Sequence, residues 1–534
     1  MKSSVSAVLL VFPVWLALCG PAQAASAAPV TDQEAAHLLN RLAFGPRPGD
    51  IASLQQMGAD AYIAQQLHPE NIPLPDTLQQ KLAQLSILSA SPGTVLYQYQ
   101  KALKDARDDS EESKKHRREL VGSIMEQTAA ARLWRALESP RQLEEVMVDF
   151  WFNHFNVYEA KGFDRALIAS YERDAIRPYV FGHFRDLLGA TARHPAMLFY
   201  LDNWLSTAAD FHANPRQRGA QGQKGKSAGL NENYARELME LHTLGVDGGY
   251  TQNDVTELAR MLTGWTFDPR SMVSRNQNFI FDMARHDDGS KQWLGQTIRA
   301  DGRNEGEHAL DVLAMHPATA HHLSFQLAQY FVADQPPTAL VERLAQRYLD
   351  TQGDIRAVLD TLFHSPEFRS PANYGSKYKT PYQFTLSALR ATGTPVQNIR
   401  PVLGTLAQLG MPLYGSQTPD GYKNTETAWL NPDALSRRIN FATALGGGYL
   451  PLLQSLENGQ AAGMKRIEKN TEKQMEKISM EKTPPRQLMP PPDPVQLQTA
   501  LGPLLTPVTL NVIHQQPAAL RAALMLGSPD FMQH

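Results

Sequence analysis

Cysteine is almost absent. Cys19 is the only one in 534 residues, so no disulfide can form within the chain. Long hydrophobic runs are absent too, apart from Val5 to Leu18. That run is too short for a typical membrane span. It follows the basic Lys2 and precedes Ala22-Gln23-Ala24, a small-x-small cleavage pattern. Together these features predict a secretory signal peptide over residues 1–24 and a mature chain starting at Ala25. The alternative is a lipoprotein signal ending at Cys19, but Leu18 is large where a small residue is expected. Cleavage after Ala24 leaves a periplasmic or secreted protein without cysteine or transmembrane segment. Cysteine nucleophiles, thiolate zinc sites and iron–sulfur clusters are then excluded. A strong charge bias is also missing. The formal charge is −3, and loss of Lys2 makes it −4. Such a balance gives no case for a nucleic-acid partner. Stability must come from burial, which a chain of this length can supply.

What the chain does contain is concentrated in Asn231 to Gly245, with two Asn, three Glu, an Arg and a His. The spacing predicts one four-turn helix. Tyr234, Leu238 and Leu241 form an apolar stripe at i, i+4, i+7. Asn233, Glu237 and Glu240 form a polar stripe on another face. Glu232–Arg236 and Arg236–Glu240 are i, i+4 pairs of opposite sign, and Gly245 suits a left-handed cap. Glu240 and His242 diverge by about 200° at about 100° per residue, so this helix alone holds no Glu/His metal pair. Thr251 with Asp254 predicts a capping box before Val255, Leu258 and Leu262.

Further signals lie outside this stretch. Met147, Phe150, Trp151, His154 and Val157 share a helix face, which favours a satisfied core histidine over a ligand at His154. Asp149, Asn153 and Asn156 share another and would suit a cavity wall or a backbone-fixing network. His194-Pro195 and His316-Pro317 place a histidine at the cap before a helix-starting proline. Ser365-Pro366 and Ser528-Pro529 read as punctuation at helix ends. Gly225-Lys226-Ser227-Ala228-Gly229 fits a nucleophile-elbow pattern, but no strand precedes it. Its resemblance to a phosphate loop fails at Ala220, where glycine is needed.

Several blocks resemble the bacterial family known as domain of unknown function 1800. They are His37 to Pro46, Trp151 to Phe155, Arg193 to Asn203, Asn231 to Trp265, His286 to Gly295, His316 to Ala320, and Met411 to Tyr422. The resemblance covers most of the mature chain. It implies an exported, mainly helical protein, often encoded beside a sulfatase-like exported family, domain of unknown function 1501. That neighbour is the one partner it suggests. It carries over no catalytic residue, cofactor or metal.

The expected architecture is all-α, a large multi-helix domain with loop insertions. The helical core spans residues 25–455 and carries a mobile basic loop over 214–229. A Lys/Glu/Met- and Pro-rich linker follows over 456–496. A C-terminal helical segment, 497–534, docks on the core. Two functional readings remain open. The first is an envelope hydrolase using His154, Asn233, Arg236, Glu237, Glu240 and His242. Convergence of these with Asn153, His194, Asp202, Asn203, Trp265, His286 and Asp287 on one cleft would favour acid–base or metal-assisted hydrolysis of an envelope polymer or modified glycan. On this reading His242 lies near the rim. The second is a non-catalytic envelope scaffold or maturation partner of the sulfatase-like protein, in which the same residues form dispersed buried networks.

Overall fold

Among the described residues helix accounts for 63% and strand for 4%, so the protein is all-α. The computed structural model describes residues 29–105, 110–211, 229–454 and 487–534. The expected signal segment, residues 214–228 of the expected basic loop and residues 456–486 of the expected linker lie outside the described residues.

The sequence explains most helix starts. Thr31 accepts from the Glu34 amide, and Thr251 and Asp254 form a full capping box. His194 and His316 each accept an amide hydrogen at 3.1 Å, from Ala196 and Ala318. Ser365 and Ser528 cap the short helices Pro366–Arg369 and Pro529–Met532. The longest helix, Glu111–Glu138, is solvated over its first turns and buried from Thr128 to Leu137 on most positions.

One continuous core runs through the molecule. Pro317–Phe331 packs on Thr338–Asp350, and Pro432–Gly446 packs on Ala518–Leu526. Pro92–Asp105 crosses Pro269–Arg275 so closely that a Cβ on Gly93 would stand 2.3 Å from the Met272 carbonyl. Residues 377–379 pair with 532–534 through an antiparallel bridge.

Two features depart from a purely helical reading. Trp265–Thr266 pairs with Ile280–Phe281, and Lys291–Trp293 with Gln296–Ile298, as small antiparallel ribbons. Leu294 and Gly295 both take positive φ, 46° and 75°, the requirement of a tight two-residue hairpin turn. A hydrogen bond from the Leu294 amide to Asp254 at 2.7 Å holds that turn on its neighbouring helix.

The predicted four-turn helix is also shorter than expected, Asn233–Glu240. Asn231 stays outside it and accepts from the Asn233 amide at 2.9 Å. At the far end, the Leu241 and His242 amides both donate to the Glu237 carbonyl. The Thr243 hydroxyl then takes the Leu238 carbonyl at 2.6 Å, ending the helix before Gly245 at φ 83°. Among the described residues, no helix is long and apolar enough to cross a membrane.

Candidate functional site

The polar stripe of Gln142–His154 and its extension form a wall, as its spacing predicts. Asp149, Asn153 and Asn156 line a cavity of about 30 Å³ with Arg132, Tyr414 and Tyr422, room for about one water. Behind this wall lies a dense ionic network. Arg132 reaches Asp149 at 2.6 Å and Glu172 at 3.1 Å. Glu172 also pairs with Arg177 at 3.1 Å and accepts from the Tyr414 hydroxyl at 2.8 Å. A π-helical turn, Tyr171–Ile176, carries Glu172. Burial alone would raise the Glu172 carboxyl, but Arg132 and Arg177 outweigh it and hold it below its ordinary range. For Asp149 burial outweighs Arg132, and its carboxyl is pushed up.

In front of the wall, the two asparagines bolt down the segment 416–422. Asn153 donates to the Tyr422 carbonyl at 2.8 Å and accepts from the Tyr422 amide at 2.7 Å. Asn156 donates to the carbonyls of Ser416 and Thr418, and the Tyr200 hydroxyl donates to that of Gln417. Gly421 is required here. Its φ is 65°, and a Cβ would stand 2.4 Å from the Asn153 carbonyl.

This segment presents Asp420 within electrostatic reach of Glu237. The Glu237 helix is fixed from its own start. Asn231 donates to the Asp202 carbonyl at 3.0 Å, and Asn233 to that of Leu201 at 3.4 Å. Tyr200, Glu237, Glu240 and Asp420 are thus within electrostatic reach of one another along one polar rim, with Asn153 tied to it through Tyr422 and Asn233 through Leu201. The cations at this rim are engaged: Lys161 with Asp202, Lys423 with Asp420, and Arg236 with Glu232 at 3.2 Å. Arg236 reaches Gln252 rather than Glu240, whose partner is the Tyr250 hydroxyl at 3.3 Å. Glu237 is half-buried, and burial followed by repulsion from Glu240 raises its carboxyl.

The remaining candidates lie elsewhere. His242 is not at a rim: it is 1% exposed and packs on Phe155. His154 is buried beside it and donates to the His242 carbonyl at 3.1 Å. Burial lowers both imidazoles, His154 to about 3. His194 caps its helix against Tyr171. Asn203 spends its amide on the carbonyls of Leu262 and Trp265. His286 and Asp287 belong to a separate network. His286 faces Glu305 at 3.1 Å, the fully buried Lys291 faces Glu305 at 2.6 Å, and Arg260 clasps Asp287 with two bonds of 2.9 Å. Among the described residues, no three His, Cys, Asp or Glu side chains are placed to hold a metal ion.

Compared with known families, residues 37–533 match the one described as "Protein of unknown function (DUF1800)". The chain belongs to this family. No curated protein and no solved structure matches it. In this DUF1800 chain the blocks around Asn153, Asp202, Glu237 and Asp420 are the ones that meet at the rim. Sequence reasoning did not name Asp420 or Tyr414 among its candidates, although both lie in the Met411 to Tyr422 block, and it did not single out Arg132 or Glu172. The available signal for Arg132 was a cation set among Thr128, Ala129, Ala130, Ala131 and Leu133 on a helix.

Proposed function

We propose that this DUF1800 protein is an exported hydrolase that cleaves an envelope polymer or modified glycan, with Glu237 as general acid and Asp420 as general base. One observation carries the reading: two half-buried carboxyls on one rim are shifted in opposite directions. Burial and Glu240 raise Glu237. Burial opposes the Asp420 carboxylate, but hydrogen bonds from Lys423 and Thr418 outweigh it and hold the group below its ordinary range. Divergent environments of this kind divide acid from base. Asp420 takes a proton from an attacking water, the new C–O bond forms, and Glu237 protonates the departing oxygen as its bond to carbon breaks. Asn153 and Asn156 are positioning residues, since they hold the segment that bears Asp420. Export is supported by Lys2, the Val5–Leu18 run and Ala22-Gln23-Ala24.

The scaffold reading is favoured by a different observation. Asn203, His286, Asp287 and Arg132 sit in networks that tie elements together. Such a protein would act as a maturation partner of a sulfatase-like neighbour.

The test is a hydrolase screen on envelope glycans with the mature protein, Glu237→Gln and Asp420→Asn. The hydrolase reading expects turnover that falls about 100-fold or more in each variant, with melting points within about 2 °C of the parent. A large drop in melting point for Glu237→Gln, with no change in activity or binding, retires it in favour of the scaffold.

A further inference from the structure

The helix Pro195–Tyr200 ends in a turn whose last three carbonyls are each bound by a side chain from elsewhere. Asp202 takes φ 59°, a left-handed conformation that stops a helix and turns its final carbonyls outward. Lys161 donates to the Tyr200 carbonyl and pairs with the Asp202 carboxylate at 3.2 Å. Asn233 donates to the Leu201 carbonyl at 3.4 Å, and Asn231 to that of Asp202 at 3.0 Å. Asn231 also accepts from the Asn233 amide at 2.9 Å. The entry of the Glu237 helix therefore hangs on this turn.

The same turn also reaches the segment that bears Asp420. The Tyr200 hydroxyl donates to the Gln417 carbonyl at 2.9 Å. Tyr200 is buried, and the Lys161 ammonium lies 5.5 Å from its ring centre. Gln417 leads into a tight turn, closed by the Gly421 amide on the Thr418 carbonyl at 3.2 Å. Asp420 is the third residue of that turn. Within three positions, residues 200–202 thus bond to both elements that carry the carboxyl pair: the hydroxyl of Tyr200 to one, the carbonyls of Leu201 and Asp202 to the other.

We propose that Tyr200 and Asp202 are positioning residues of the hydrolase site, and that the turn they form sets the spacing between Glu237 and Asp420. The inference rests on reading those two carboxyls as acid and base, and it goes beyond that reading by naming what fixes their separation. An acid and a base that flank an attacking water need a gap of about 6.5–9.5 Å. A misplacement of about 1 Å can cost about 100-fold in rate. A three-residue turn with every carbonyl tied is a short, stiff link for such a gap. Tyr200 acts through its hydroxyl. Asp202 acts through its backbone, because its positive φ suits Gly, Asn and Asp and strains other residues.

Three variants of the full mature protein test this. Tyr200→Phe removes the hydroxyl and keeps the ring. Asp202→Ala and Asp202→Gly both lose the carboxylate and its bond to Lys161, but of the two only glycine accepts the left-handed φ without strain. Amide hydrogen exchange is read over 416–422, over 233–240 and over the core helix Ile355–Phe363 as reference. Tyr200→Phe should speed exchange of 416–422 by about threefold to tenfold, the worth of one hydrogen bond, and leave 233–240 unchanged. Asp202→Ala should speed exchange of 233–240 by about fivefold or more, and Asp202→Gly should restore it. On a substrate that the parent turns over, kcat should fall about tenfold in Tyr200→Phe and Asp202→Ala with KM within about twofold, and should recover in Asp202→Gly. Equal losses in Asp202→Ala and Asp202→Gly overturn the proposal. So does parental exchange of 416–422 in Tyr200→Phe, or a loss of protection that extends to the reference helix. A parent without turnover retires the acid–base reading instead, and the exchange pattern then decides the spacing role by itself.

Discussion

Arg132 shows how much one side chain can hold. Its guanidinium is fixed by Asp149, Glu172 and the Tyr382 hydroxyl and lies over the rings of Phe152, Tyr382 and Tyr414. Removing it leaves Asp149 without its ion-pair partner and Glu172 with only one of its two arginines. Arg132→Met should cost about 3–5 kcal/mol, read as a shift of the urea midpoint. The polar wall in front of it was legible, because Asp149, Asn153 and Asn156 recur at helical spacing. Arg132 was not, because its partners Glu172 and Tyr382 lie 40 and 250 positions away. Periodicity reports which residues share a face, and long-range pairing leaves no local trace. The same limit misplaced His242: its neighbours on the helix said nothing of Phe155 and His154.

At the scale of the element, helix starts were readable and helix ends less so. Thr251, His194 and Ser528 announce themselves because a cap acts within three residues. The helix Asn233–Glu240 stops early because Thr243 takes a carbonyl and a histidine fills the space beyond, and the second cause is tertiary. The two ribbons near Trp265 and Lys291 escaped notice for want of length, at two and three residues per strand. Two glycines make opposite predictions. Gly421→Ala forces a Cβ into the Asn153 carbonyl at positive φ, and should cost about 1 kcal/mol or more and move Asp420. Gly122 lies inside Glu111–Glu138 with no atom within 4 Å of its would-be Cβ. Gly122→Ala should stabilise by about 0.5–1 kcal/mol. Thermal unfolding of the pair beside the parent checks both signs.

Across the whole molecule, acid is the natural stress. Burial holds His37, His154 and His194 neutral, each lowered to about 3. The unfolded chain takes up protons on these groups below its own value near 6.5, so their stabilising effect is complete above that pH and is lost as pH falls towards 3. Each contributes a slope of about 1.4 kcal/mol per pH unit within that window. The fully buried Asp164 runs the other way: burial raises it, and the folded protein holds its proton more readily. Denaturant curves at several pH values should therefore show stability falling steeply below about pH 6, with three or more protons taken up on unfolding. The all-α architecture was legible from periodicity, but the closure of its two ends was not. His534 donates to the Asn40 carbonyl across 494 positions, and His37 donates to that of Phe368. Such a knot of first and last segments is a late event in folding, because the longest loop in the molecule must close before it forms. A partly synthesised chain that still lacks residues 532–534 lacks one side of that seam, so it remains pliable and open to chaperones until they arrive.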